Sequence, residues 1–382
     1  MSAHRLRILY LVLEMDLGGL QRIVNLLIQR IDKRIYEPYL CCLNRGGLFY
    51  EQASSCSAGS FTLNRQPGPF DSKLFRELYS ILREKKIDII HSHNGCSSYA
   101  ALAGRLARVK GIIHTDHGRL VPDRKAAIIE DRVSALMIDR FVGVSQELTE
   151  YLATTVKVSR KKLMTIINGV DINKFKPLIH VERNVLRRKL GFTESDKIIG
   201  TVCRLDPIKN LNFLISCIPA ITESVSETRL VIVGDGSIRE SLITYVKTLG
   251  LGSRIVFLGQ KEEIEKILPI FDIYACTSLS EGTSMTILEA MSCGLPIVAS
   301  AVGGNVRLVD GSNGIVFPLN DAASFTEAVA SLLSEPAVRS KKGRRSREKV
   351  EGDFSVERMV RQYEELYIST QSEKKESKMT VS

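Results

Sequence analysis

Two glutamates, Glu281 and Glu289, stand in the segment Ser280-Glu281-Gly282-Thr283-Ser284-Met285-Thr286-Ile287-Leu288-Glu289-Ala290-Met291. The apolar run Ile273–Thr277 ahead of it reads as a strand, and a helix is expected to begin near Ser284. Glu281 then sits on the turn at the carboxyl edge of a sheet, and Glu289 about a turn and a half into the helix. Gly282 permits close backbone approach to a ligand. The free N–H groups of Thr283, Ser284 and Met285 would face a phosphate placed at the helix start. One carboxylate could accept hydrogen bonds from sugar hydroxyls and the other from ribose hydroxyls. Acids near a helix N-terminus are also favoured by its dipole alone. An unpaired Glu289 in so apolar a helix would nevertheless be costly.

A second set lies in Gly200-Thr201-Val202-Cys203-Arg204-Leu205-Asp206-Pro207-Ile208-Lys209-Asn210. Arg204 ends a strand, and Lys209 follows after a short loop at the next helix start. Two cations at the carboxyl end of a strand suit a diphosphate, Arg204 as a bidentate fork and Lys209 as a point charge. A surface turn with ordinary salt bridges is the simpler alternative. Gly18-Gly19, between the first strand and first helix, allows backbone to approach phosphate. Gly234-Asp235-Gly236 is a similar turn, expected to line the cleft. His91, His93, His114 and His117 lie at expected strand ends, where one imidazole could bond a reacting sugar or an acceptor hydroxyl. Each is otherwise a polar strand end. The chain has no Asp-x-Asp pair to chelate a nucleotide-bound cation, no GxGxxG, no GxxxxGK[ST] and no GxSxG.

These residues need a frame. At about 100–200 residues per domain, 382 residues predict two or three domains. Short Val/Ile/Leu runs alternate with amphipathic stretches, the pattern of parallel strands buried on both faces by helices. The expected strands are Arg7–Leu13, Tyr36–Leu43, Ser60–Leu63, Ile87–His91, Gly111–Thr115, Arg140–Val144 and Leu163–Ile167. The rhythm restarts after Pro177, with strands from Ile198–Cys203 to Gly314–Phe317 and helices that include Asn210–Ile221 and Glu262–Ile270. The reading is α/β: an N-terminal Rossmann-like domain over residues 1–175, a C-terminal one over 176–353, a helix over 354–368, and a polar tail over 369–382 that should fray.

Residues 1–175 hold 26 Lys and Arg against 17 Asp and Glu, so that +9 of the net +10 lies there. This points to an anionic partner on the first half: lipid surface, nucleic acid or phosphorylated substrate. The eight cysteines show no metal spacing and read as buried thiols in a reducing compartment. The run Ile8–Leu13 is too short for a signal peptide, and no stretch reaches transmembrane length. A cytoplasmic protein is expected.

The ordered set resembles glycosyltransferase family 4, whose members have the GT-B fold of two Rossmann-like domains facing a cleft. The resemblance covers about residues 5–368. It rests on Gly18-Gly19, Thr115-Asp116-His117-Gly118, Asp139 through Ser145, Ile167-Asn168-Gly169-Val170-Asp171, Arg204…Lys209-Asn210, Val233-Gly234-Asp235-Gly236 and Glu281 through Pro296. It implies that Glu281 contacts the donor sugar, Glu289 the ribose, and Arg204 and Lys209 the diphosphate. Gly18 and Gly19 would close over the phosphates, and His117 would lie near the sugar's 6-position and the reaction centre. Gly234, Gly282, Thr283, Ser284 and Met285 complete the donor site. Relatives often have an aromatic residue after the glycine of the first Glu motif, where this chain has Thr283, so sugar identity does not carry over.

The implied activity is transfer of a hexosyl or N-acetylhexosaminyl group, with retention, from a nucleotide-diphosphate sugar (UDP- or GDP-linked) to a glycan or polyprenyl-linked acceptor. The setting would be bacterial surface-polysaccharide assembly. No cofactor and no metal are implied, and nucleic acid drops out as a partner. The basic first half would meet an anionic membrane, placing the protein on the inner face of the plasma membrane. Two other classes stay open. A nicotinamide-dependent oxidoreductase is opposed by the missing GxGxxG. A catalytically inactive scaffold is opposed by the intact Glu281, Glu289, Arg204 and Lys209.

Overall fold

The computed structural model describes residues 5–16, 18–65, 71–119 and 123–379. Its first sheet holds β1 (Leu6–Val12), β2 (Tyr36–Cys42), β3 (Gly59–Thr62), β4 (Ile89–His93), β5 (Gly111–Asp116), β6 (Arg140–Gly143) and β7 (Leu163–Thr165). All pair in parallel, in the order β3-β2-β1-β4-β5-β6-β7. The second sheet holds β8 (Lys197–Val202), β9 (Thr228–Val233), β10 (Ile255–Gly259), β11 (Ile273–Cys276), β12 (Ile297–Ser300) and β13 (Gly314–Phe317). Its order is β10-β9-β8-β11-β12-β13, again parallel. Strand order reverses between β1 and β4 in one sheet and between β8 and β11 in the other. At such switch points doubly wound sheets open a crevice at their carboxyl edges.

The two faces of the first sheet are unlike. Leu9, Leu11, Ile90 and Ile112 pack against Leu74 and Ala100 of the helices Ser72–Glu84 and Ser97–Ala107. The alternate positions Tyr10, His91 and Thr115 face the other way, as period-two strands require. There the C-terminal helix, Val356–Met379, brings Tyr363 and Tyr367 onto them. In the second sheet, buried Asp272 ahead of β11 accepts from the Ile198 N–H of β8 at 2.8 Å and from Arg187 at 2.7 Å. Burial pushes the Asp272 pKa up, but Arg183, Arg187 and these hydrogen bonds outweigh it, and the carboxyl stays below its ordinary value. The Tyr274 hydroxyl donates to Val202 O at 3.1 Å and lies 2.7 Å from Thr286 Oγ1. β8 and β11 are thereby held in register at the switch point.

Several expectations need correction. The stretch Asn210–Ile221 is not one helix: it breaks into Leu211–Ser216 and Ile218–Ser224, with Pro219 in the first turn of the second. Glu262–Ile270 likewise shortens to Ile264–Ile267 and a 3₁₀ turn at Leu268–Ile270 that contains Pro269. The chain divides as residues up to Asn168 plus those from Val356, and Gly169–Ser355. The breaks fall at 168/169 and 355/356 rather than 175/176 and 353/354. The Val170 N–H donates to Phe354 O at 2.9 Å, and Arg347 donates to the carbonyls of Ile172 and Phe175, which ties 169–175 to the second unit. The segment 370–379, expected to fray, continues the C-terminal helix through Met379. Its Glu, Lys and Gln are good helix formers despite their polarity. All eight cysteines are free, and six are buried.

Candidate active site

In the second unit the switch point gathers residues from the β8 and β11 loops. β8 leads through Arg204 into a 3₁₀ turn, Pro207–Lys209, that stops at Asn210 in the left-handed region, φ 54°. β11 leads into Thr277 and Ser278. The Leu279 N–H donates to Ile208 O at 2.8 Å, and Thr277 Oγ1 donates to Lys209 O at 3.0 Å. These bonds set Lys209 beside Glu281. Lys209 Nζ lies 2.7 Å from Glu281 Oε1, and Ser278 Oγ donates to the same oxygen at 2.6 Å. The Lys209 and Glu281 side chains are 23% and 12% exposed. Burial lowers the Lys209 pKa, but the facing carboxylate reverses this, and the ammonium ends above its ordinary value. Glu281 thus holds a charge-assisted pair through Oε1.

Arg204 is placed differently. Its side chain is 72% exposed and ion-paired with Asp206, so nothing in the fold gathers it onto Lys209 and Glu281. The turn that carries it is well supported. Leu205 N–H donates to Asp235 O at 2.9 Å, and Ile238 N–H to Leu205 O at 3.2 Å. Gly234 has φ +133°, and a Cβ there would stand 1.9 Å from Cys203 O, so only glycine lets the two turns lie together.

Ser284 caps the helix Met285–Ser292 by accepting from the Ile287 N–H at 3.4 Å. Thr283, Ser284 and Met285 are buried, Gly282 is half-buried, and Glu289 is 2% exposed inside the helix. Sequence reasoning missed the loop beneath Glu281. Gly304 N–H donates to Gly282 O at 2.9 Å. Gly303 has φ +47°, and a Cβ on it would come 1.8 Å from Glu281 O. The signal was present, because Gly303-Gly304 after a strand repeats the pattern noted at Gly18-Gly19. Ser278 carried no such signal.

In the first unit Gly18 stands at the N-terminus of the helix Gly19–Arg30. The histidines separate into two kinds. His91 is a satisfied core residue, with Nδ1 2.7 Å from the Tyr367 hydroxyl and Nε2 2.8 Å from Thr115 Oγ1. His114 is similar, its Nδ1 2.9 Å from Ser92 Oγ. His93 and His117 face each other, Nδ1 to Nε2, at 2.9 Å. Asn94 Oδ1 accepts from the His117 N–H at 2.7 Å. Asp116 accepts from Asn94, Gly118 and Arg119. Arg119 also pairs with Asp123 and Asp131, beside a cavity of about 350 Å³. Among the described residues no group of three or more His, Cys, Asp or Glu is placed to hold a metal ion.

Two parallel doubly wound sheets of seven and six strands, each with its own switch point, are the architecture of the GT-B fold. The pattern described as Glycosyl transferases group 1 matches residues 182–349, and that of Glycosyltransferase Family 4 matches residues 17–174. The chain is 30% identical over 309 residues to the Escherichia coli UDP-Gal:alpha-D-GlcNAc-diphosphoundecaprenol alpha-1,3-galactosyltransferase, covering 78% of this chain and 79% of that protein. It is 29% identical over 294 residues to a GDP-mannose-dependent phosphatidylinositol monomannoside mannosyltransferase of Corynebacterium glutamicum, covering 73% and 76%. Anabaena HepE, solved with UDP-glucose, shares the fold at TM-score 0.84 and 22% identity, over 96% of this chain and all of that one. The chain belongs to glycosyltransferase family 4. Nothing in these likenesses supports an oxidoreductase or an inactive scaffold.

Proposed function

We propose that the protein transfers a hexosyl or N-acetylhexosaminyl group from a nucleotide-diphosphate sugar to a hydroxyl of a glycan or polyprenyl-linked acceptor, with retention, in bacterial surface-polysaccharide assembly. The observation that carries this is the Lys209–Glu281–Ser278 cluster at the switch point of the second sheet. In this reading Glu281 contacts the donor sugar, Glu289 the ribose, and Lys209 the diphosphate, with Arg204 closing from the solvent side. The helix start at Ser284 and the glycines Gly18, Gly19, Gly234 and Gly282 take phosphate. His117 meets the sugar. The acceptor oxygen bonds to the anomeric carbon as the bond from that carbon to the diphosphate breaks, and the acceptor proton passes to the leaving diphosphate. Negative charge grows there, where Lys209, Arg204 and the helix dipole stabilise it most in the transition state. No metal or cofactor has a part in this scheme, since the cations supply the charge.

The relatives' names support a UDP- or GDP-linked donor and a lipid-linked acceptor: one names a diphosphoundecaprenol-linked sugar, the other a phosphatidylinositol monomannoside. Docking to an anionic membrane surface is supported by the helices Ser97–Ala107 and Lys125–Met137. These expose Leu106, Ile129, Val133 and Leu136 among Arg105, Lys125 and Arg132. No helix of the described residues is long and apolar enough to cross a membrane. The test is a panel of UDP-galactose, UDP-glucose, UDP-N-acetylglucosamine and GDP-mannose with a polyprenyl-diphosphate-linked sugar as acceptor. Transfer with an α-linked product is expected. An inverted product overturns retention, and no binding or turnover of any nucleotide sugar overturns the donor site.

A further inference from the structure

Ser278 has a part that the scheme above leaves unassigned. It is buried, and its Oγ lies 2.6 Å from Glu281 Oε1, the separation of a hydroxyl bonded to an anion. Its backbone is held from the neighbouring strand. Ser300 Oγ, at the end of β12, donates to Ser278 O at 2.7 Å, and Asn305 Nδ2 donates to Ser300 O at 3.2 Å. Ser300 and Asn305 are fully buried. Cys276 Sγ, 3.6 Å from Ser278 Oγ, is a weaker neighbour. All of these residues lie in the second unit. Glu281 Oε1 thus has two donors of opposite kinds. Lys209 is an ammonium on a flexible four-carbon stem, still partly open to solvent. Ser278 is a short hydroxyl whose backbone is pinned by β12, so it stays where it is.

We propose that Ser278 is a positioning residue that holds Glu281 in place when Lys209 leaves it for the donor diphosphate. This rests on the assignment of Lys209 to the diphosphate made above. Without ligand, Lys209 and Ser278 share Glu281 Oε1. A diphosphate at the carboxyl edge of β8 brings negative charge that draws the Lys209 ammonium toward it. Glu281 is only 12% exposed, and a carboxylate in such a place is costly once its charged partner is gone. The Ser278 hydroxyl remains, and one charge-assisted hydrogen bond is kept on Oε1. Oε2 lies outside these contacts and is left for a hydroxyl of the donor sugar. Ser278 therefore touches neither phosphate nor sugar. It acts on nucleotide affinity through Glu281, by lowering the cost of the exchange that Lys209 makes.

The test is a double-mutant cycle on the full chain, read by calorimetric titration with UDP and with GDP. Ser278→Ala should weaken binding of the nucleotide that the wild type takes by roughly 5- to 30-fold, part of the worth of one hydrogen bond to a charge. Ser278→Thr, which keeps the hydroxyl, should restore affinity. In Glu281→Gln no carboxylate is left behind when Lys209 moves, so adding Ser278→Ala there should change affinity by less than about twofold. Equal losses in both backgrounds mark a packing role and overturn the proposal. Ser278→Ala that binds as tightly as the wild type shows that Lys209 reaches the diphosphate without releasing Glu281, and overturns it too. Lys209→Ala with undiminished affinity removes Lys209 from the diphosphate and the proposal with it, while the transferase reading still stands on the acceptor panel. Binding of neither nucleotide by the wild type overturns the donor site itself and the proposal with it.

Discussion

The buried histidines of the first sheet predict an unusual acid sensitivity. Four of the six histidines, His91, His93, His114 and His117, lie in the first unit with their pKa values pulled down by burial, His117 to about 3. The histidine of the second unit, His180, is exposed. An unfolded histidine titrates near 6.5. Below that pH the unfolded chain binds protons that the folded one refuses. Stability is therefore fully present above about pH 6.5 and is lost as pH falls toward the folded values. From pH 6.5 to 5.5 each histidine costs roughly 1 kcal/mol, and four cost about 4, against a total stability of about 5–15 kcal/mol. The first unit should lose much of its margin before any carboxylate is protonated. Hydrogen exchange followed by mass spectrometry reads this directly, after correction for intrinsic rates. Peptides from β4 and β5 should lose protection between pH 6.5 and 5.5, while those from β8 and β11 keep theirs. His93→Leu should make the dependence shallower by up to about 1.4 kcal/mol per pH unit. Equal protection of β4 and β5 at pH 7.5 and 5.5 would refute the reasoning.

Other perturbations separate activity from folding. Arg204 is 72% exposed, so Arg204→Ala should change the urea midpoint by less than about 0.5 kcal/mol in stability and lower kcat roughly 10²–10³-fold. Undiminished turnover would remove Arg204 from the diphosphate site. Gly303→Ala would set a Cβ 1.8 Å from Glu281 O at φ +47°. The loop must move, and transfer should fall at least about tenfold with roughly 1–3 kcal/mol of strain; a steady-state assay beside a urea titration checks both. Tyr367→Phe removes the hydroxyl 2.7 Å from His91 Nδ1 and should destabilise the first unit by about 1–3 kcal/mol, read from thermal unfolding by circular dichroism.

Much of the molecule was legible in the chain. Continuous apolar runs gave the strands to within a residue or two, because strands covered on both faces carry no polar alternation. The helix boundaries failed at Pro219 and Pro269, where the apolar pattern runs on but the backbone cannot. The polar end of the last helix was misread for the opposite reason: low apolar content argues against burial, not against helix. Glu281, Lys209 and the glycines of the second unit stood out by residue type and by their place after strands.

The sequence by itself determined that two parallel-sheet units exist, where the charged and glycine-rich turns fall, and which family the chain belongs to. Only tertiary structure decided which of those turns meet. Lys209 and Glu281 are 72 residues apart, and His91 and Tyr367 are 276 apart. Their meeting depends on β8 pairing with β11, and on the last helix packing over β4. The tertiary structure also left Arg204 in solvent, joined His93 to His117, and set Gly303 beneath Glu281. Local pattern reports burial and backbone preference over a few residues. Strand order and register, which fix contacts across tens to hundreds of residues, come from how the whole core closes.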